Sequence, residues 1–209
     1  MCRLLETILC IDGKMQNLRY HQMRVDAAFK RLFTRIDPIE LSQSIVVPHH
    51  YSIGAFRIRI VYTRDILSVE YFPVVPRHFN SFLLVTDDSI GYECKYEDRS
   101  SLNAISEQKN GADEAIIIKN GCVTDTTISN LLFFDGYQWF TPDTPLLKGT
   151  MRQQLLDRSI CIERRITFAD LSRYTLVLMT NALLGFEPNN ALPIHSIQNL
   201  NSFSSHEAK

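Results

Sequence analysis

Apolar and polar positions change period several times along the chain, and each change predicts an element. Leu4–Ile11 is an apolar run rich in strand formers that ends at Asp12-Gly13, which predicts a hairpin returning through Lys14–Leu18. Tyr20 to Phe33, YHQMRVDAAFKRLF, switches to helical spacing, with Met23, Ala27, Leu32 and Phe33 near one face and Arg24, Lys30 and Arg31 largely opposite. Pro38 to Ser52 reads as a connector or a short helix. From Gly54 to Phe72 strict alternation predicts two strands around Arg64-Asp65, with Arg57 and Arg59 on one face because strand side chains repeat every second residue. Pro73, Pro76 and the polar segment RHFNS break the pattern and place a domain boundary near residue 80, giving domains 1–80 and 81–209.

In the second domain Phe82–Val85 reads as a strand, Thr86–Glu93 as a connector, and Lys95 as the opening of a helical segment that continues through SSLNAISEQ. Ala115–Ile118 and Ile128–Phe134 are strand-like runs, with hairpin signals at Asn120-Gly121 and Asp135-Gly136. Gly149-Thr150-Met151 opens a helix that runs to about Ile160. Ile166–Leu171 and Tyr174–Met179 are read as a strand-like run and a final strand, followed by a polar tail beyond Ile197.

Composition narrows the class. Apolar residues at 45% with a formal charge of −1 describe an ordinary globular protein, with no basic stripe to draw it to nucleic acid. No apolar run approaches the ~20 residues needed to span a bilayer, and acidic residues come early for a secretory signal, so a cytoplasmic protein with no membrane partner is expected. Five cysteines without CxxC spacing read as reduced thiols, with Cys94 a small buried thiol, and His49-His50 has no metal partner at useful spacing, so no metal site is expected.

The candidate chemistry lies between Lys95 and Arg152. By itself Lys95 reads as a solvent-facing lysine, Asp125 as a turn residue, and Thr150 as the start of a capped helix. Together they are three parts that a pyridoxal phosphate site needs. These are an amine activated by burial or a cationic neighbour, a carboxylate opposite the pyridine nitrogen, and a helix start whose N–H groups receive a phosphate.

The order of blocks adds to this reading. Lys95 with Arg99, GADEAIII, Val123-Thr124-Asp125, Ser129-Asn130-Leu131, Thr141-Pro142, GTMRQ at 149–153 and Asn181-Ala182-Leu183 follow one another in a sequence that resembles the class IV pyridoxal-phosphate family, fold type IV. Its members include aminodeoxychorismate lyase, branched-chain aminotransferase and D-amino-acid aminotransferase. The resemblance covers nearly the whole chain from Leu5 onward. It implies an α+β fold with a small α/β domain and a larger mixed-sheet, barrel-like domain, the cofactor lying in the interdomain cleft. It also implies a homodimer.

Residue by residue, the resemblance makes Lys95 the Schiff-base lysine of pyridoxal 5′-phosphate and its proton-transfer base. Tyr20-His21-Gln22-Met23-Arg24 looks like the family segment whose arginine grips the phosphate, for which a guanidinium fork is suited; His21 reads as a packing or capping residue. Asp125 stands where glutamate is commoner and would pair with the ring nitrogen. Thr150 and Met151 would contribute N–H groups to the phosphate, Asn181 would keep a donor close to it, and Arg59 would meet a substrate carboxylate.

KYEDR and GTMRQ resemble the lyase, and Ser100 stands where branched-chain aminotransferases place a tyrosine. The implied reaction is therefore conversion of 4-amino-4-deoxychorismate to 4-aminobenzoate, a folate precursor, and pyruvate. A branched-chain or D-amino-acid aminotransferase and a cofactor-binding protein without turnover stay open. The sequence departs from the family in starting almost at Glu6-Thr7, without a preceding strand and its Asp-Arg-Gly element, and that bears on the substrate pocket and the dimer contact.

Overall fold

Asp12 and Gly13 both take positive φ, 46° and 76°, the backbone that a tight two-residue hairpin demands. They turn strand β1 (Leu4–Ile11) into β2 (Lys14–Met15). The structure, a computed structural model, describes residues 2–33 and 37–203. The chain divides into two units. One contains the described residues up to Pro76 together with Glu93–Asp98; the other contains Arg77–Tyr92 and the residues from Arg99 onward. Lys95, expected with the second domain, thus groups with the first.

In the first unit, helix α1 (Leu18–Leu32) and a short helix α2 (Leu41–Ser44) accompany strands β3 (Ala55–Tyr62) and β4 (Ile66–Pro73). The sheet order is β2-β1-β3-β4, antiparallel throughout. Alternation sends Leu4, Ile8, Cys10, Ile58, Ile60 and Tyr62 to one face, where they join Val25, Ala28 and Phe29 of α1 in a common core. Full burial of a valine or phenylalanine side chain contributes roughly 1.5–3 kcal/mol. The helix therefore depends on this seam for its place on the sheet. Its inward face differs from the one the spacing suggested: His21, Val25, Ala28 and Phe29 are buried, while Met23 is 44% exposed. The face is fixed by the apolar side of β1 and β3, and the YHQM segment has apolar groups on two sides.

Residues 94–97 run along β1 without joining a helix. Leu5 N–H donates to the Lys95 carbonyl at 2.8 Å, Glu97 N–H to the Arg3 carbonyl at 3.0 Å, and Leu4 bridges Tyr96. The expected helical opening at Lys95 is replaced by this strand-edge pairing, and helix α3 begins at Ser100 (Ser100–Glu107).

The second unit is two mixed sheets. Strands β5 (Phe82–Thr86), β6 (Glu114–Lys119) and β7 (Cys122–Thr126) form one, with β5 and β6 parallel. Strands β8 (Asn130–Phe134), β9 (Trp139–Pro142), β10 (Cys161–Arg164), β11 (Leu176–Thr180) and β12 (Leu192–Pro193) form the other, in the order β10-β9-β8-β11-β12. Asn120 and Gly121, at φ 50° and 71°, make the expected β6–β7 hairpin.

Leu84, Ile116, Ile118 and Val123 pack against Leu131, Phe133, Phe140 and Val177 between the sheets. On the opposite side of the five-stranded sheet, Leu132 and Leu178 pack with Leu155 of helix α4 (Thr150–Asp157). Both faces of β8 are covered, which explains why its sequence is an unbroken apolar run.

Ile166–Leu171, expected to be strand-like, instead leads into a 3-10 helix, Phe168–Arg173, started by a capping box in which Thr167 and Asp170 bond reciprocally. Cys94 is buried, and burial pushes its thiol pKa up, as befits a packed sulfur and not a nucleophile. No helix among the described residues is long and apolar enough to cross a membrane.

Candidate functional site

In the first unit the site is built on an acidic residue at an inward position of β1. Glu6 stands between Leu4 and Ile8 on the core face and is fully buried, a position where a carboxylate persists only if it is paired. Two residues of α1, one helical turn apart, supply the partners. Arg24 donates from Nε to Glu6 Oε1 at 2.8 Å and from Nη2 to Oε2 at 2.6 Å. His21 Nδ1 lies 2.6 Å from the same Oε2. Burial by itself would raise the Glu6 pKa, but the charge of Arg24 and the hydrogen bonds from His21 and Arg24 outweigh it and bring it down to about 2.

His21 moves downward, chiefly because it is buried, against the pull of Glu6; the positive charges of Arg24 and Lys95 push the same way. A neutral imidazole donating Nδ1–H to an ionised Glu6 satisfies both groups. The fork of Arg24 that the sequence assigned to a phosphate is therefore engaged with Glu6 through two of its nitrogens. Lys95 belongs to the same electrostatic neighbourhood.

Arg59, on the opposite face of β3, is also engaged. Its Nη1 donates to Glu70 at 2.7 Å and its Nη2 to Glu97 at 2.8 Å, two residues from Lys95. Glu97 also pairs with Arg3 at 3.5 Å.

In the second unit Asp125 is held by the strand-turn-strand arrangement of β7 and β8. Asn130 Nδ2 donates to its Oδ1 at 2.7 Å, and Leu147 N–H donates to its Oδ2 at 2.9 Å. Burial dominates over these bonds and raises its pKa to about 7. The same Asn130 Nδ2 donates to the Leu147 carbonyl at 2.8 Å, fixing the loop that enters α4.

Gly149 caps that helix, and a Cβ there would come within 1.8 Å of Asn130 Oδ1. Its φ of −70° is open to any residue, so glycine is required for space and not for conformation. Asn130 thus joins the buried acid to the helix start. Thr150 is buried at the first position of α4, while Met151 is partly buried against the Leu132–Leu155–Leu178 cluster.

Asn181 closes the turn after β11. Its Nδ2 donates to Ser129 Oγ at 2.8 Å, and its Oδ1 accepts from Leu183 N–H at 2.9 Å and Leu184 N–H at 2.8 Å. Its amide is spent within the 128–130 and 181–184 loops. Arg99 donates to the Thr127 carbonyl at 2.8 Å, tying α3 to the same loop. Buried Arg152 anchors α4, donating to Thr141 Oγ1, the Pro142 carbonyl and Glu163.

Lys95, Arg24 and Arg59 thus lie in the first unit, and Asp125, Thr150, Met151 and Asn181 in the second. Sequence reasoning gave no role to Glu6, Asn130 or Glu97. Glu6 had a readable signal, a charged residue at the inward parity of an apolar strand. Asn130 and Glu97 lie inside the blocks Ser129-Asn130-Leu131 and KYEDR, but nothing in the sequence named their partners, which loop geometry sets.

Comparison with known proteins identifies the family. The family described as Amino-transferase class IV matches residues 103–196. A crystal structure from Haemophilus somnus 129pt, provisionally named a 4-amino-4-deoxychorismate lyase, is 35% identical and superposes with a TM-score of 0.84, covering 89% of this chain and 98% of that one. The chain belongs to the amino-transferase class IV family.

It is accordingly an enzyme with the mixed α/β architecture of fold type IV. An uncharacterized protein of Haemophilus influenzae is 36% identical over 187 residues, 88% of this chain and 100% of that relative. A hypothetical aminotransferase from Mycobacterium tuberculosis, in its PLP-bound form, shares the fold at 18% identity and a TM-score of 0.75, covering 94% of this chain and 81% of that one.

Proposed function

We propose that this class IV enzyme is a pyridoxal-phosphate-dependent lyase that converts 4-amino-4-deoxychorismate to 4-aminobenzoate and pyruvate. The observation that carries the reading is the likeness to the Haemophilus somnus protein of that provisional name, at 35% identity over 98% of its length. The donor set fits the cofactor. A buried carboxylate at Asp125, raised to about 7 by burial, is a strong acceptor that would take a hydrogen bond from a protonated pyridine nitrogen, alongside those it accepts from Asn130, Leu147 and Leu146. The Gly149–Thr150 helix start, held against Asn130, offers N–H groups to a phosphate.

In this reading Lys95 holds the cofactor and then moves a proton at the substrate Cα. Arg24 contributes charge to the phosphate, with its orientation set by Glu6. Asp125 holds the proton at the ring nitrogen, and Thr150 and Met151 supply backbone N–H groups. Asn181 acts by fixing the Ser129 loop. When bound, the cofactor supplies an electron-withdrawing ring that makes the substrate Cα–H acidic. A homodimer in the cytoplasm is part of the same proposal.

The deciding assay supplies 4-amino-4-deoxychorismate to the reconstituted protein and follows pyruvate. Release without any keto acid is the expected result. Amino transfer that requires a keto acid identifies an aminotransferase instead, and retention of the cofactor with neither reaction identifies a binding protein.

A further inference from the structure

Lys95 is the central residue of a γ-turn, in which Tyr96 N–H donates to the Cys94 carbonyl at 2.9 Å. The direction of its side chain therefore depends on how the two ends of the turn are held. Cys94 is held by burial in the core shared with α1. Beyond the turn, Tyr96 bridges Leu4, and Glu97 N–H donates to the Arg3 carbonyl at 3.0 Å.

Leu4 also pairs with Tyr62 of β3, so β1 lies between β3 and this segment. Side chains span the gap. Arg59, beside Thr7 of β1 and Glu70 of β4 in the register, sends Nη2 past β1 to Glu97 Oε1 at 2.8 Å, while its Nη1 is held by Glu70 at 2.7 Å. Arg3 reaches the other oxygen of Glu97 at 3.5 Å. Cations and anions thus alternate along Arg3, Glu97, Arg59 and Glu70. The Arg59–Glu97 contact is the shielded part of the row, its side chains being 30% and 25% exposed against 63% for Arg3. A guanidinium already anchored by Glu70 has lost much of its freedom before it meets Glu97, which lowers the entropic cost of the second contact.

We propose that Glu97 is a positioning residue for Lys95: its carboxylate, held by Arg59 from the far side of β1, pins the end of the γ-turn that carries the lysine. The role rests on the reading of Lys95 as the residue that holds the cofactor, whereas the pinning is independent of it. The same contact engages the arginine that the resemblance assigned to a substrate carboxylate.

The test compares wild type, Glu97→Gln, Arg59→Gln, the double variant and Arg3→Gln. Amide hydrogen exchange of the purified full chain reads the pinning. The expected result is a roughly two- to fivefold loss of protection at positions 5 and 97 in Glu97→Gln and in Arg59→Gln, the range of a partly exposed ion pair. The double variant should lose no more than either, and Arg3→Gln should stay close to wild type. The pH midpoint of the visible absorption of the pyridoxal-phosphate-reconstituted protein reads the lysine. By charge alone, Glu97→Gln lowers that midpoint and Arg59→Gln raises it. A displaced lysine moves both in one direction, which is the expected result.

Unchanged protection in both variants overturns the inference, as do equal losses in Arg3→Gln and Arg59→Gln, which assign the effect to net charge. Opposite shifts of the two midpoints, or none, overturn the positioning of the lysine. If a glutamine variant is too unstable to measure, wild type decides: about 1 M salt, which screens charges beyond roughly 3 Å, should lower protection at positions 5 and 97, and unchanged protection there overturns the inference. A wild type that develops no visible absorption counts against the proposed function, and exchange then decides the inference alone.

Discussion

Glu6 and Arg24 meet through two hydrogen bonds, of 2.8 and 2.6 Å, inside the core between β1 and α1, and the carboxylate is wholly removed from solvent. A residue of a strand and a residue of a helix, 18 positions apart, therefore fix each other, with His21 as the third member. Breaking a buried pair by removing one partner costs about 3–5 kcal/mol, since the remaining charge stays buried. Glu6→Gln should destabilise the protein by about that amount at pH 7, measured by urea denaturation. A loss below about 0.5 kcal/mol would show that the pair contributes little.

Opposite shifts at Glu6 and Asp125 give the pH dependence a defined shape. Glu6 is lowered to about 2, so its contribution is complete above the unfolded value of 4.5 and is lost as pH falls toward 2. Asp125 is raised to about 7 from 3.8, so the folded state holds a proton that the unfolded chain has released; stability is full below pH 3.8 and declines as pH rises to 7. Each contributes a slope of at most about 1.4 kcal/mol per pH unit. Buried His21, lowered from 6.5, works the other way below that value, so the expectation is a difference: between pH 5 and pH 7.5 the melting temperature of the cofactor-free wild type should fall relative to that of Asp125→Asn. Parallel pH profiles in wild type and variant would show that the raised carboxyl has no stability effect.

Gly149 faces Asn130, and an added Cβ there has no room. Gly149→Ala should force Asn130 off Asp125 or off the Leu147 carbonyl, at a cost of about 1–3 kcal/mol and a weaker hold on pyridoxal phosphate. Denaturant midpoints and cofactor titration measure the two effects. Wild-type values for both would mean that Asn130 shifts freely.

Lys95 is the residue on which covalent attachment depends in the proposed function. Borohydride treatment of the reconstituted protein followed by peptide mass mapping should place the label on Lys95, and Lys95→Ala should lose both the label and the visible absorption of the bound cofactor. Labelling at another lysine would move the assignment there.

Much of the fold was written in local pattern. Asp12-Gly13 and Asn120-Gly121 fix their hairpins because only a few residues accept positive φ, and the alternation from Ala55 to Pro73 fixes two strands because a sheet has two unlike faces. The family blocks around Asp125 and Gly149 were equally legible, since they are contiguous in sequence.

What the chain in one dimension left open were choices made by distant neighbours. The inward face of α1 was settled by which side of β1 and β3 is apolar. The strand-edge course of Lys95 was settled by backbone groups of β1 and Arg3, whereas the 3-10 turn at Phe168–Arg173 follows a local signal, the Thr167–Asp170 capping box, that outweighed the strand-like pattern. The resemblance assigned Arg24 to a phosphate and Arg59 to a substrate carboxylate. Tertiary structure pairs Arg24 with Glu6 and Arg59 with Glu70 and Glu97, and among the described residues it leaves the buried Nε of Arg57 without a hydrogen-bond partner. Charge is a property of the residue, whereas burial and pairing are properties of the folded neighbourhood, and it is the latter that sets what each charge does.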